Sequence, residues 1–299
     1  MGIGDCAVPW GELTVLSAVE PLLAQAAGIR LGVDLARAEA EPALREFVEA
    51  ALPERVRHAS HVRMEVTVGD PSAVILQTGR RLNAGLIVMG THGRGGFRKL
   101  LLGSTTEQVL RRTEWPVLAV PGGAVSAPAV EHPGVQLRRI LLATDFRESA
   151  MAATQWAADL ASDIGVPLVL AHVVEPVVVP QRWQAFVADF ESDRMASGQR
   201  LLARLSASFR ETHPEPVVSV GRPAEAIASL SVEYGASLVV MGLGNPEDPE
   251  SRTPGSIAYR VLRTAPVAVV VVPALRRTPA RPGSSRVRQP RGDRQLLGR

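Results

Sequence analysis

A single cysteine, Cys6, and a single lysine, Lys99, stand in a chain of 299 residues. One cysteine excludes an intrachain disulfide and any metal site of the paired-cysteine kind, and it fits a reducing compartment. No apolar run approaches the roughly 20 residues that span a bilayer, and the first residues lack the basic, apolar and cleavage regions of a secretory signal. A cytoplasmic protein without a membrane partner is therefore expected. Acidic and basic residues nearly balance at a net charge of +3, but the excess is local. Residues 275–299 hold eight arginines against Asp293, which leaves −4 for the remainder. That stretch, rich in Pro, Gly, Ser and Arg, has too little apolar content to pack, so a disordered, solvated tail is expected. Its charge would attract nucleic acid only nonspecifically, because no aromatic residue is interleaved to stack on bases.

What is present is ample for folding: 46% of residues are apolar and 21% charged, a soluble globular composition long enough for two cores. Self-comparison finds the two. Val68-Gly-Asp-Pro-Ser-Ala-Val-Ile75 resembles Val220-Gly-Arg-Pro-Ala-Glu-Ala-Ile227, Leu86-Ile-Val-Met-Gly90 resembles Leu238-Val-Val-Met-Gly242, and Gly103-Ser104 recurs as Gly255-Ser256, each 152 residues on. Val19-Glu-Pro21 returns as Val174-Glu-Pro176 after 155 residues, and Pro116-Val-Leu-Ala-Val-Pro121 resembles the segment 266–273. A repeat this long is a duplicated domain. The expected division is a first unit over 1–121, a linker over 122–137, a second unit over 138–273 and the basic tail over 274–299.

The second unit reads as strands alternating with helices: strands over 139–144, 166–174, 216–220, 237–241 and 267–272, helices over 149–164, 183–209, 224–234 and 256–263. Near-continuous aliphatic strands between helices predict a parallel sheet covered on both faces. The fold class is α/β: two doubly wound parallel-sheet sandwich domains in tandem, with ligands expected at the carboxyl ends of the strands. The first unit enters this pattern late. Strand 13–19 matches the second strand of the other unit, so the counterparts of its first strand and helix would fall before residue 1; a truncated start is the expectation. Strands 62–68, 86–89 and 117–120 follow, with helices over 41–56, 72–82 and 104–111.

The segment Gly90-Thr-His-Gly-Arg-Gly-Gly-Phe-Arg-Lys-Leu-Leu-Leu-Gly-Ser104 lies between a strand end and a helix start. Gly90 and Gly93 permit backbone angles and close approach that a Cβ forbids. Gly103 and Ser104 sit where unpaired backbone NH groups and the helix dipole favour an anion, the Ser104 and Thr105 hydroxyls add donors, and Arg94, Arg98 and Lys99 add positive charge. Phosphate is the natural guest. A Walker loop is excluded because Lys99 does not directly precede the serine, and the dinucleotide fingerprint Gly-x-Gly-x-x-Gly is not met from Gly90, Gly93 or Gly95.

These marks together resemble the universal stress protein family, whose nucleotide-binding branch carries Gly-x2-Gly-x9-Gly-Ser/Thr between its fourth strand and fourth helix. The resemblance implies an adenine nucleotide alpha hydrolase-like fold. It implies ATP as ligand, with or without Mg2+, its phosphates and ribose held by Gly90, Gly93, Gly103, Ser104 and Thr105. The adenine side would come from Ala143, Thr144 and Asp145 with Val173 in the second unit; Ala18 occupies the place of Val173 in the first. Gly242, Gly255 and Ser256 would be the second phosphate loop, but Asn245 replaces the second glycine there, and Glu247, Asp248 and Glu250 stand where the first unit has cations. Phosphate affinity should suffer in that loop. The family's last strands join two units, so the copies should pair within one chain; a homodimer is a further arrangement the resemblance allows.

Other polar residues carry less. His58 and His61 lack a third ligand, so no metal site is expected. His92 is a loop histidine, His172 is expected as polar filling of a strand end, and Trp156 as packing. No serine shows a nucleophile elbow, which removes a hydrolase triad. A sensing or signalling protein is therefore expected rather than a fast enzyme. A nucleotide-free scaffold with two degenerate sites is the alternative, and an enzyme of the related adenine nucleotide alpha hydrolase group is the remote one.

Overall fold

Ile140-Leu-Leu-Ala143, with all four side chains buried, is the strand around which the second unit is built. In the computed structural model, which describes residues 12–31, 34, 36–52, 62–91, 102–122, 137–177, 179–180, 182, 184–209, 212–244, 253 and 256–274, the elements follow the sequence closely. The first half contains β1 (Leu13–Val19), α1 (Pro21–Leu31), a π-helical turn (Ala36–Ala40), α2 (Glu41–Ala51), β2 (Val62–Val68), α3 (Pro71–Leu82), β3 (Ile87–Gly90), α4 (Ser104–Arg112) and β4 (Val117–Val120). The second contains β5 (Ile140–Ala143), α5 (Glu148–Ile164), β6 (Leu168–Val174), α6 (Gln184–Ser208), β7 (Glu215–Val220), α7 (Pro223–Glu233), β8 (Leu238–Gly242), α8 (Ile257–Thr264) and β9 (Ala268–Val272).

Seven strands form one sheet in the order β3-β4-β9-β8-β5-β6-β7. All neighbours are parallel except β4 and β9, which run antiparallel with Val117 opposite Val271, Leu118 opposite Val270 and Ala119 opposite Val269. Alternate side chains along the buried strands feed two cores, as the period of two requires. On one face Leu141, Val169, Val239 and Val269 pack with Ile227, Tyr259 and Leu262 from α7 and α8. Val109, Leu110, Val117 and Ala119 of the first half join the same core. On the other face Leu142, Leu170, Val240 and Val270 pack with Ala153, Ala157 and Ala161 of α5 and Leu202 of α6. Small residues on α5 let that helix lie close to the sheet; a Cβ on Gly242 would come within 2.8 Å of the Ser149 carbonyl oxygen at its start.

The first half is divided. β1 and β2 pair with each other in a separate two-stranded sheet, in parallel register from Leu13 opposite Val62 to Val19 opposite Val68. In the second half β5 sits between β8 and β6, and among the described residues of the first half no strand holds the corresponding place between β3 and β1. Helix ends are set locally. Asp70 caps α3 by accepting from the Ala73 amide at 2.9 Å, and Asn83 ends that helix in the left-handed region at φ 49. Gly165 ends α5 at φ 67, where a residue without Cβ is favoured.

Candidate functional site

Two clusters of the expected residues form, on different parts of the sheet. In the first half the ends of the glycine-rich loop are fastened together. Gly90 closes β3, the Gly103 amide donates to the Thr91 carbonyl at 2.8 Å, and the Thr106 hydroxyl donates to the Gly90 carbonyl at 2.9 Å. Thr91 also ties to β4, its amide donating to the Val120 carbonyl at 2.9 Å. Gly103 is the N-cap of α4 and Ser104 its first residue, so Gly90, Gly103, Ser104 and Thr105 are gathered at one strand end and one helix N-terminus. Ser104 is exposed and Thr105 half-buried. Such an end presents free NH groups and a positive dipole end. Thr106 had no place in the motif and only the structure brings it in; its counterpart 152 residues on is Ala258, so the second half lacks this stitch. Gly93, His92, Arg94, Arg98 and Lys99 lie outside the described residues, as do Asn245, Glu247, Asp248, Glu250 and Gly255 of the second loop, and His58 and His61.

The second cluster lies at the ends of β5, β6 and β8. Ala143 pairs with Ala171 on one side and Met241 on the other, which puts Thr144 beside β6 and Gly242 on the next strand end. The Thr144 amide donates to the Ala171 carbonyl at 2.9 Å, continuing the ladder one residue past the strand. The chain then turns sharply. The Phe146 amide donates to the Thr144 hydroxyl at 3.1 Å and the Arg147 amide to Asp145 Oδ1 at 3.0 Å, while Phe146 itself is held at φ 62. This turn points to a defined, exposed carboxylate; Asp145 Oδ2 lies 3.5 Å from Arg147 Nε.

His172 fixes the turn from the neighbouring strand. Its Nδ1 lies 2.9 Å from the Thr144 carbonyl oxygen, and because a carbonyl only accepts, that nitrogen carries the proton and donates. Its ring tilts against Phe146 with centroids 4.6 Å apart. Gly198 of α6 leaves room for the ring, since a Cβ there would approach His172 Cδ2 to 2.9 Å. His172 is thus more than filling: it ties β6, α6 and the Asp145 turn together. Val173, next to it, packs partly buried against the core below α7. At the third strand, Ser256 is the N-cap residue of α8, and its hydroxyl is buried without a hydrogen-bond partner among the described residues. A buried hydroxyl left in this way is uncommon and calls for an acceptor or donor from elsewhere.

The two clusters cannot share one ligand. Between β3 and β5 lie β4, β9 and β8, about 19 Å at roughly 4.8 Å per strand. The antiparallel β4–β9 junction also reverses strand direction, so Gly90 and Asp145 sit at opposite edges of the sheet. Asp145 therefore belongs to the second-half cluster alone. Among the described residues no group of three or more His, Cys, Asp or Glu side chains gathers as for a metal ion, and no helix is long and apolar enough to cross a membrane.

Comparison with known proteins places the chain. The universal stress protein family model matches residues 6–121 and again 136–273. A universal stress protein of Mycolicibacterium smegmatis is 28% identical over 218 residues, covering 72% of this chain and 70% of that protein. One of Mycobacterium tuberculosis is 29% identical over 217 residues, covering 70% of this chain and 68% of its own length. Among solved structures, a universal stress protein from Archaeoglobus fulgidus is similar in fold, with a TM-score of 0.55 over 88% of each chain at 24% identity.

Proposed function

This chain belongs to the universal stress protein family, and from that premise we propose that it is a stress-response protein that binds ATP or another adenine nucleotide in its second half. Its role is sensing or signalling rather than fast turnover. The adenine edge meets Ala143, Thr144, Asp145 and Val173; the phosphates, with or without Mg2+, meet Gly242, Gly255 and the N-terminus of α8 at Ser256. The observation that carries this reading is the Ser256 hydroxyl, buried and unpartnered at the N-cap of α8. It lies on the same sheet edge as Asp145, because β8 and β5 are parallel. A ligand oxygen would supply the missing partner, and the helix dipole favours an anion there.

The first half contributes a loop whose ends are joined but whose sheet offers no counterpart of Asp145 among the described residues. Phosphate contacts at Gly90, Gly93, Gly103, Ser104 and Thr105 alone give weak binding at most. The two halves pair as a pseudo-dimer within one chain, a reading supported by the β4–β9 ladder. One observation favours a second reading, a nucleotide-free scaffold: Glu247, Asp248 and Glu250 place three carboxylates in the second loop, where they repel phosphate.

Equilibrium dialysis with ATP separates the readings. Binding by the wild-type chain that falls about tenfold or more in Asp145→Ala and in Ser256→Ala, and is unchanged in Gly93→Asp, is expected. Binding unaffected by the first two variants overturns the assignment; absence of binding in the wild type selects the scaffold.

A further inference from the structure

The two halves carry their positive charge in different places. In the first, residues 91–102 hold Arg94, Arg98 and Lys99 without an acidic residue, and the segment after the last strand, 121–137, has only Glu131 among Asp, Glu, Lys and Arg. In the second the arrangement is reversed. Residues 243–254 hold Glu247, Asp248 and Glu250 against Arg252, while 275–299 hold eight arginines against Asp293. Residues 275–299 lie outside the described residues, but their point of departure does not. β9 is parallel to β8 with Val272 opposite Gly242, and the Leu243 amide donates to the Val272 carbonyl at 2.8 Å. Pro273 is still buried, so the chain leaves the fold beside the end of β8. The N-terminus of α8 stands at this same end. α8 packs on the sheet through Ala258, Tyr259, Val261 and Leu262 and enters β9 after three residues, so helix and strand run in opposite directions and Ser256 lies toward the carboxyl end of β9. Arg276 and Arg277, four and five residues beyond Val272, stay within about 14 and 17 Å of it even at full extension.

We propose that the arginine-rich segment 275–299 is the cationic arm of the second-half nucleotide site, with Arg276 and Arg277 meeting the phosphates at the N-terminus of α8. This rests on the nucleotide reading and names the counter-charge which that reading lacks. Residues 243–254 alone carry a negative balance that repels a triphosphate; the arm, with a net charge of +7, reverses the balance at the same strand ends. Guanidinium groups bind phosphate through paired N–H donors, and a tether of four or five residues keeps them at high effective concentration beside α8. The place of the phosphates is the one argued from the buried Ser256 hydroxyl. The segment contains no aromatic residue to stack on bases, which favours a phosphate held within the chain over a nucleic acid.

Equilibrium dialysis with ATP and with AMP tests the arm, using the full chain, the double variant Arg276→Gln/Arg277→Gln and a chain ended after Ala274. ATP affinity is expected to fall about threefold or more in the double variant and about tenfold or more in the shortened chain, with Tm unchanged. AMP, with fewer charges for the arm to meet, should lose less than ATP in both. Arg276→Lys/Arg277→Lys keeps the charge and should keep most of the ATP affinity. Equal ATP affinity in the full chain, the double variant and the shortened chain overturns the arm and leaves the nucleotide reading standing. An equal proportional loss for AMP and ATP also overturns it, since the segment would then support the fold instead of the phosphates. A shortened chain that keeps its ATP affinity and loses only affinity for duplex DNA assigns the segment to nucleic acid. Absence of ATP binding in the full chain overturns the nucleotide reading and the arm with it.

Discussion

Tyr259 places its hydroxyl 3.4 Å from the carbonyl oxygen of Glu107, and the two residues are equivalent positions of the duplicated unit, 152 apart. Leu118 and Val270, opposite each other at the centre of the β4–β9 ladder, are 152 apart as well. Contacts between equivalent positions are what a two-fold relation produces, since each patch meets its own copy. Tyr259 is 1% exposed and belongs to a core shared with Val109 and Leu110 of α4. Its ring therefore matters more than its long hydroxyl contact. Tyr259→Phe is expected to lower stability by about 1 kcal/mol or less, and Tyr259→Ala by about 3–5 kcal/mol, in urea unfolding followed by circular dichroism. Equal losses in both variants would mean that the hydroxyl, not the ring, holds the halves together.

The uneven cover of the halves makes a paired prediction. Val240 is packed on all sides and Val88 is mostly in water. Truncating Val240 to Ala removes two methyl groups from a close-packed core, at a cost of about 2 kcal/mol. Val88→Ala should stay within about 0.5 kcal/mol of wild type. Comparable losses at the two positions would require a cover over Val88 that is absent among the described residues.

The strands of the second half were legible in the sequence because each is an aliphatic run of ordinary strand length between turn residues, and both faces of the sheet are buried. The offset of 152 carried the same reading to β3, α4 and β4. Helix α1 was not legible: Leu22, Leu23 and Ile29 are exposed, so its apolar residues draw no single stripe. Helix α6 was read one residue long at its C-terminal end, to 209 where the helix closes at Ser208, because apolar periodicity locates a face better than an end. At the site, Asp145 was singled out by the family resemblance and Ser256 by the recurrence of Gly103-Ser104 at the 152-residue offset, whereas Thr106 and the tie made by His172 depend on contacts between elements distant in sequence. The opposition of the two clusters across the sheet follows from one antiparallel pairing, which no local pattern encodes.

Asp70 gives a prediction in pH. Its side chain accepts from the Ser72 hydroxyl at 2.6 Å and from the Ala73 amide at 2.9 Å, and these bonds hold its carboxyl below the ordinary value of 3.8. The ionised form is thus favoured in the folded state. Its contribution is present in full above the unfolded value and is lost as pH falls through the lower, folded one. The difference in Tm between wild type and Asp70→Ala should be constant near neutrality, begin to shrink near pH 4, and level off only below the folded value. A difference that grows on acidification would show that the cap acts through the protonated acid.

Phe146 sets two demands against each other. Its backbone at φ 62 is strained for any residue with a Cβ, yet its ring rests on His172, which in turn holds the Thr144 carbonyl. Phe146→Ala loses the ring contact and keeps the strain; Phe146→Gly loses the same contact and relieves it. The glycine variant should therefore be the more stable of the two by about 1 kcal/mol. If the turn exists to aim Asp145, the same two variants should behave differently in ATP dialysis. Both lose the His172 contact, and the glycine variant, freed from a fixed φ, should bind no better than the alanine variant despite its greater stability. A glycine variant that binds more tightly would mean that the strain opposes the site and that Phe146 serves packing alone.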